Sequence, residues 1–249
     1  MPAAVTLFHV SDLHFGMEDR AALDWFAREV AEVRPDGVIC TGDLTMRGRT
    51  REFAAAADYL AGLAAPVSVE PGNHDMPYYW EPVARLARPH ARFEVLRKAV
   101  HRDLCVDGVA LVSLPTIAPA QWRLNWSKGR VHRGRLAHAL AHLHDLGCPD
   151  AGGLRLVACH HPLVEAGTHA TASTRGGPHA LAALARAGVD AVLSGHVHDA
   201  FDKVVEAGGR PIRLIGAGTL SERVRTTRPS YNRLAWAAET GLRVDVRTV

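Results

Sequence analysis

Five short clusters of carboxylate, imidazole and amide side chains punctuate this 249-residue sequence: Asp12-Leu13-His14, Gly42-Asp43, Gly72-Asn73-His74-Asp75, His160-His161-Pro162 and Gly195-His196-Val197-His198. Their oxygen and imidazole donors are the ligand types that suit borderline divalent cations such as Mn, Fe, Zn or Co. In an extended segment residues i and i+2 point to one side, so Asp12 with His14, and His196 with His198, can each reach a common centre. A lone Asp-x-His or Gly-Asp reads as a cap or a turn. Five such clusters, each just past an apolar run, are different, because buried polar groups are costly unless paired or bound to metal. His142-Leu143-His144 is a contrasting case. It lies within a helical pattern with no strand before it, and reads as a solvated face, as does the His138/His142 pair one turn apart.

The elements that must position these clusters follow from apolar periodicity. Val5 to Val10 reads as a buried strand, Arg20 to Val33 as a helix on Leu23, Phe26, Val30 and Val33, and Gly37 to Thr41 as a second strand. Arg51 to Leu63 is a second helix and Val67 to Glu70 a third strand. This βαβ alternation predicts a parallel sheet with its functional residues at the strands' carboxyl ends. One helix is expected between Val83 and Val100, then a hairpin of Leu104–Val106 and Val109–Leu114 around Asp107-Gly108. Residues 115 to 130 read as a long loop over the site. Arg133–Leu146 and His179–Ala187 read as helices, and Leu154–Cys159 and Ala191–Ser194 as buried strands. The remainder (Lys203–Val205, Ile212–Ile215, Leu234–Ala237, Leu242–Val246) reads as successive short antiparallel strands. A helix-alternating first half and a strand-rich end predict two sheets face to face with helices outside, in one domain over residues 1–249.

Composition narrows the function classes. Hydrophobic residues make up 47% and charged residues 22%, enough for a sizeable core. A formal charge of +3 with scattered Arg residues gives no footprint for nucleic acid, so no nucleic-acid partner is expected. No run of 18 apolar residues spans a membrane, and the start lacks the features of a signal peptide. Cys40, Cys105, Cys148 and Cys159 form no CxxC, and read as free thiols of a reducing, cytoplasmic compartment. The final strands offer an edge at which a homodimer could form.

Taken together and in order, the five clusters resemble the full signature of the calcineurin-like metallophosphoesterase superfamily. The Gly42-Asp43-Leu44-Thr45-x-x-Gly48 stretch and the His-His-Pro motif are most similar to those of the bacterial class III cyclic-nucleotide and glycerophosphodiester phosphodiesterases. The resemblance implies an α/β (α+β) fold, a four-layer αββα sandwich of two mixed β-sheets flanked by helices. It also implies two divalent metal ions, one on Asp12, His14 and His198, the other on Asn73, His160 and His196, with Asp43 between them. A hydroxide shared by the ions would attack phosphorus in line. His74 would contact the phosphate and protonate the leaving oxygen, with Asp75 orienting its ring. His161 would be the intervening residue of a His-x-Pro pattern, and Gly42, Gly72 and Gly195 would let backbone approach the site.

The expected substrate is a small-molecule phosphoester, with a phosphodiester favoured over a phosphomonoester or a pyrophosphate. A non-catalytic metal-binding interaction scaffold is the competing reading from another class. Arg47, Arg49, Tyr78, Tyr79, Trp80, Trp122, Asn125 and Trp126 are candidates for an outer substrate pocket.

Overall fold

The computed structural model describes residues 4–78, 80–104, 106–118, 127–146, 153–169 and 174–249. Strand β1 (Val5–Val10) sends Val5 and Leu7 to one face and Phe8 and Val10 to the other, and both faces are covered. Helix α1 (Arg20–Val33) starts where the Asp19 side chain accepts a hydrogen bond from the Ala22 N–H, and ends at Arg34 in the left-handed region. Its Leu23, Phe26 and Val30 pack on Phe8. Strand β2 (Gly37–Cys40), helix α2 (Thr50–Ala61) and strand β3 (Val67–Val69) complete the first βαβαβ run, with β1, β2 and β3 parallel.

A short 3-10 turn follows (Asn73–Asp75), then helices α3 (Pro82–Ala87) and α4 (Ala91–Val100). Strand β4 (Val109–Ser113), helix α5 (Arg133–Asp145), strand β5 (Leu154–Ala158), helix α6 (Gly177–Arg186) and strand β6 (Ala191–Ser194) come next. Four strands close the chain: β7 (Phe201–Ala207), β8 (Arg210–Gly216), β9 (Ser230–Ala237) and β10 (Gly241–Thr248).

Two five-stranded mixed sheets result, ordered β10-β9-β1-β2-β3 and β4-β5-β6-β8-β7. Their facing surfaces share an apolar layer of Leu7, Ile39, Leu156, Leu193, Ile215 and Trp236. The outer face of the first sheet is covered by α1, α2 and α4, and that of the second by α5 and α6. The expected αββα sandwich is thus the fold. No helix of the described residues is long and apolar enough to cross a membrane.

Three expectations about elements need correction. The helix expected between Val83 and Val100 is two helices, broken at Arg88-Pro89-His90, because proline disfavours helical backbone at the residue before it. The Asp107-Gly108 turn forms, with Gly108 at φ 75° and Val109 N–H donating to Val106 O at 3.0 Å. It does not open a full hairpin: Val106 and Val109 make an isolated bridge, and β4 pairs in parallel with β5 along its whole length. The closing strands form two separate hairpins, one in each sheet. β8 also runs parallel to β6, and β9 runs antiparallel to β1.

The edge strands β3 and β4 are linked by one polar contact, in which the Ser113 hydroxyl donates to Glu70 Oε2 at 2.5 Å. Burial pushes the Glu70 carboxyl up to about 7, against the opposing pull of Ser113 and Arg97. A group whose folded pKa lies above its unfolded value stabilises the fold fully below the unfolded value, near 4.5, and less as pH rises through 7. Urea unfolding of the wild type is expected to lose about 2 to 3 kcal/mol more than Glu70→Gln between about pH 5 and 8. Parallel pH profiles for the two proteins would show that Glu70 is not held protonated.

Candidate metal centre

The carboxyl ends of β1, β2 and β3 meet those of β5 and β6, and the polar clusters fall at that junction. Backbone bonds tie the loops beyond the strands together. Asp12 N–H donates to Gly42 O at 2.9 Å, His14 N–H to Asp43 O at 3.0 Å, and Gly195 N–H to His160 O at 2.9 Å. Asp12 joins the two sheets, since its Oδ2 accepts from the His196 N–H at 2.8 Å. Beneath it, His9 is buried between Thr41 and Asn232, and burial lowers its pKa to about 3, so the ring is neutral.

Among the described residues, six non-glycine residues have φ in the left-handed region: Asp12, His14, Arg34, Asp43, His196 and His198. Arg34 caps α1, and the other five are candidate ligands. Backbone in this region costs about 1 to 3 kcal/mol per residue and persists where surrounding structure imposes it, most often at functional sites. The convergence of Asp12 with His14, and of His196 with His198, therefore does not come from extended backbone as expected. It comes from tight left-handed turns that fold each motif back over its strand end.

The imidazoles share one pattern. His160 Nδ1 lies 2.8 Å from Thr41 O, His198 Nδ1 2.7 Å from Arg223 O, His74 Nδ1 2.7 Å from Met46 O, and His14 Nδ1 3.4 Å from Thr45 O. A backbone carbonyl only accepts, so each ring carries a proton on Nδ1 and turns its Nε2 to the centre. There these nitrogens meet other atoms of ligand type. His198 Nε2 is 3.1 Å from Asp12 Oδ1 and 3.2 Å from His14 Nε2. His160 Nε2 is 3.3 Å from Asp43 Oδ2 and 3.2 Å from Asn73 Oδ1. Asp43 Oδ2 also lies 3.9 Å from His14 Nε2, so one carboxylate oxygen faces both halves of the cluster.

Facing acceptors repel unless a proton or a metal cation lies between them. Asp12 Oδ1 is buried and accepts no hydrogen bond, an orphan that such a cation would satisfy. The ionisation equilibria agree. Burial opposes the Asp12 charge, yet His198, His14 and His160 hold its pKa well below the usual carboxylate range. Burial likewise opposes a proton on His160, but Asp43 raises its pKa to about 9. Positive charge is drawn to the spot that His160 and Asp43 share. Burial lowers His14 to about 4 and His196 to about 3, leaving them as neutral donors.

Four groups of donor atoms among the described residues lie close enough to hold an ion: Asp12 with His14 and His198, Asp12 with Asp43 and His160, His14 with Asp43 and His74, and His160 with His161 and His196. All seven expected ligands are therefore at one place, with Asn73 joining through its Oδ1 contact to His160. His161 is less free to ligate than His160, since Ser127 O lies 2.8 Å from its Nε2 and the Thr116 hydroxyl 2.9 Å from its Nδ1.

Asp75 does not orient His74, contrary to expectation. The His74 ring is held by Met46 O, while Asp75 accepts from the backbone N–H groups of Leu44, Thr45 and Gly72 and from the Thr45 hydroxyl. It is a clasp between the Asp43 and Asn73 loops, and its carboxylate is consumed by those donors.

The outer-pocket candidates divide. Tyr78 and Trp80 stack at 4.2 Å between ring centroids, and the Arg49 guanidinium lies 5.9 Å from the Trp80 ring. Trp80 lines a cavity of about 640 Å3 with Glu81, Val83 and Arg92, away from the ligand cluster. Arg47 is exposed. Tyr79, Trp122, Asn125 and Trp126 lie outside the described residues.

One residue at the centre escaped the sequence reading. Arg223 Nη1 lies 3.2 Å from His74 Nε2 and 3.4 Å from His14 Nε2. Neither motif nor spacing marks Ser221-Glu222-Arg223, and only the path of the loop between β8 and β9 brings it in.

The calcineurin-like phosphoesterase family profile matches residues 5–200, and the chain belongs to that family. Glycerophosphodiester phosphodiesterase GpdQ of Enterobacter lignolyticus (strain SCF1) is 32% identical over 80 residues, which cover 28% of this chain and 29% of that protein. Among solved structures, a dimetal phosphatase from Danio rerio superposes with a TM-score of 0.64 at 14% identity, covering 98% of both chains. Purple acid phosphatase PPD1 from yellow lupin (Lupinus luteus) seeds gives 0.65 at 10% identity, over 100% of this chain and 52% of that one. At such identities these likenesses concern the fold.

Close approach makes two glycines structural parts of the centre. A Cβ on Gly195 would overlap Ser11 Oγ and press on Asp12 Oδ2, and one on Gly72 would overlap Asp43 Oδ1 and its backbone N. Gly195→Ala is expected to weaken Mn²⁺ retention at least about tenfold, read by elemental analysis after dialysis, with thermal unfolding still cooperative. Wild-type retention would show that the Asp12 carboxylate has room to move.

Proposed function

We propose that this chain is a binuclear-metal-dependent phosphoesterase that hydrolyses small-molecule phosphodiesters. The observation that carries the reading is the meeting of buried imidazole, carboxylate and amide donor atoms around Asp12 and Asp43, close enough to share a cation. Asp12, His14 and His198 would hold one divalent ion, Asn73, His160 and His196 the other, and Asp43 would serve both. The donor set of carboxylate, imidazole and amide oxygen fits Mn, Fe, Zn or Co. When bound, such a pair supplies Lewis acidity toward phosphoryl oxygens and lowers the pKa of water.

The chain's own groups have defined tasks. Backbone carbonyls fix the tautomers of His14, His160 and His198, so that each presents Nε2 without rearrangement. His74, anchored at Nδ1, presents Nε2 to the cleft, where, once Nε2 has taken up a proton from solvent, the ring would pass that proton to the departing oxygen. Asp75 keeps the Asp43 and Asn73 loops in register. The diester preference is supported by the partial likeness to GpdQ, joined to the Gly42-Asp43-Leu44-Thr45 stretch.

We read residues 1–249 as one catalytic domain, because β9, beyond the family match, pairs onto β1, and β10 pairs onto β9. Cytoplasmic residence is supported by Cys40 and Cys159, both buried free thiols. No nucleic-acid partner is proposed, and the β7 and β10 edges are the places where a homodimer could form.

The test is a panel of bis-p-nitrophenyl phosphate, p-nitrophenyl phosphate and cyclic AMP with the Mn²⁺-reconstituted protein. Diester turnover is expected, with kcat/KM reduced at least about 1,000-fold in Asn73→Ala and His160→Ala. Turnover of the monoester alone would replace the diester reading with a phosphomonoesterase. Undiminished activity in both variants would overturn the site itself.

A further inference from the structure

We propose that Arg223 is the substrate-binding cation of this centre, pairing its guanidinium with a non-bridging oxygen of the phosphoryl group. The inference rests on reading the centre as a phosphoesterase site. Arg223 is absent from the five motif clusters and lies beyond the stretch matched by the family profile.

The loop that carries it is fixed to the centre by a chain of short bonds. The Thr219 hydroxyl donates to Asp12 O at 2.6 Å and lies 2.7 Å from the Ser221 hydroxyl. Ser221 N–H donates to Thr219 Oγ1 at 3.1 Å, Arg223 N–H to Ser221 Oγ at 3.3 Å, and Glu222 N–H to Met17 O at 3.0 Å. Arg223 O then accepts from His198 Nδ1 at 2.7 Å. One residue thus orients a candidate ligand through its carbonyl and enters the same centre with its side chain. Its guanidinium is held in advance, so little conformational freedom is left to lose on binding.

Charge decides what it binds. Among the described residues Arg223 forms no ion pair with a carboxylate, and its Nη1 points at two imidazole nitrogens and, at 3.9 Å, at Met46 Sδ. His14 Nε2 cannot serve both a metal ion and Nη1. Once ions occupy the centre, the guanidinium is a third positive charge beside them with one of its two imidazole acceptors taken, a costly arrangement unless an anion bridges it to them. A phosphoryl oxygen is that anion, and guanidinium with phosphate is a strong charge-assisted pair. Drawing Nη1 onto the anion also releases His74 Nε2 from its 3.2 Å contact.

The experiment is calorimetric titration of inorganic phosphate into the Mn²⁺-loaded wild type, Arg223→Ala, Arg223→Gln and Arg223→Lys, with Mn²⁺ content measured on each sample and KM and kcat for bis-p-nitrophenyl phosphate alongside. Phosphate affinity is expected to fall about 10- to 100-fold in Arg223→Ala and Arg223→Gln, with partial recovery in Arg223→Lys and unchanged Mn²⁺ content. KM is expected to rise by a similar factor. Affinity within twofold of wild type in Arg223→Ala, or a wild type that does not bind phosphate, would overturn the proposal. Loss of Mn²⁺ in all three variants would also overturn it, by reducing the residue to a support for His198. A wild type that binds phosphate through Arg223 yet fails to cleave the diester would leave this proposal standing and remove only the diester preference.

Discussion

Nitrogen and oxygen atoms of ligand type, turned toward one another inside a folded chain, are the constraint on which this structure depends. Their mutual repulsion costs stability for as long as no positive charge separates them, and the chain meets that cost by design rather than by relaxation. Four imidazoles are locked by main-chain carbonyls at Nδ1, so none can turn its Nε2 away from the centre without breaking a bond. Two carboxylates are buried among them and anchored by the N–H groups of His196 and His74. A protein with no use for a cation would let these groups turn to solvent.

The two-sheet sandwich makes that concentration feasible. Strands β1 and β2 in one sheet, and β5 and β6 in the other, end in the same plane, and parallel pairing brings their termini side by side. Apolar packing between the sheets, through Leu7, Ile39, Leu156 and Leu193, sets the distance across which Asp12 and His160 face one another. The energy that holds the polar cluster together is therefore supplied by the apolar layer beneath it. Gly72 and Gly195 give the clearance that this spacing demands.

Much of this was legible in the sequence. Apolar runs followed by chemical motifs located β1, β2, β5 and β6, and periodicity located α1 to the residue. The ligand types were readable because each kind of side chain has few reasons to be buried. What was not legible depends on contacts distant in sequence. Asp107-Gly108 makes its local turn, but β5 outcompetes a hairpin partner for β4. The backbone of Asp12 and His14 is left-handed because Gly42 and Asp43 hold it from across the sheet. Asp75 seemed to belong to His74, its neighbour, yet it serves residues some thirty positions earlier. Arg223 had no motif to announce it. The break at Pro89 is the exception, since proline is a signal visible in the sequence itself.

The placement of β9 has a consequence for how the molecule comes into being. Strand β1 lies between β2 and β9, and Asn232 of β9 closes the polar layer under Asp12 through its contact with His9. The loop that steadies His198 is made just before β9. During translation the early ligands must wait, with their strand unpaired on one side, until more than two hundred further residues have emerged. Capture of an ion by these ligands would thereby depend on the hairpin of β9 and β10, far along the chain from Asp12.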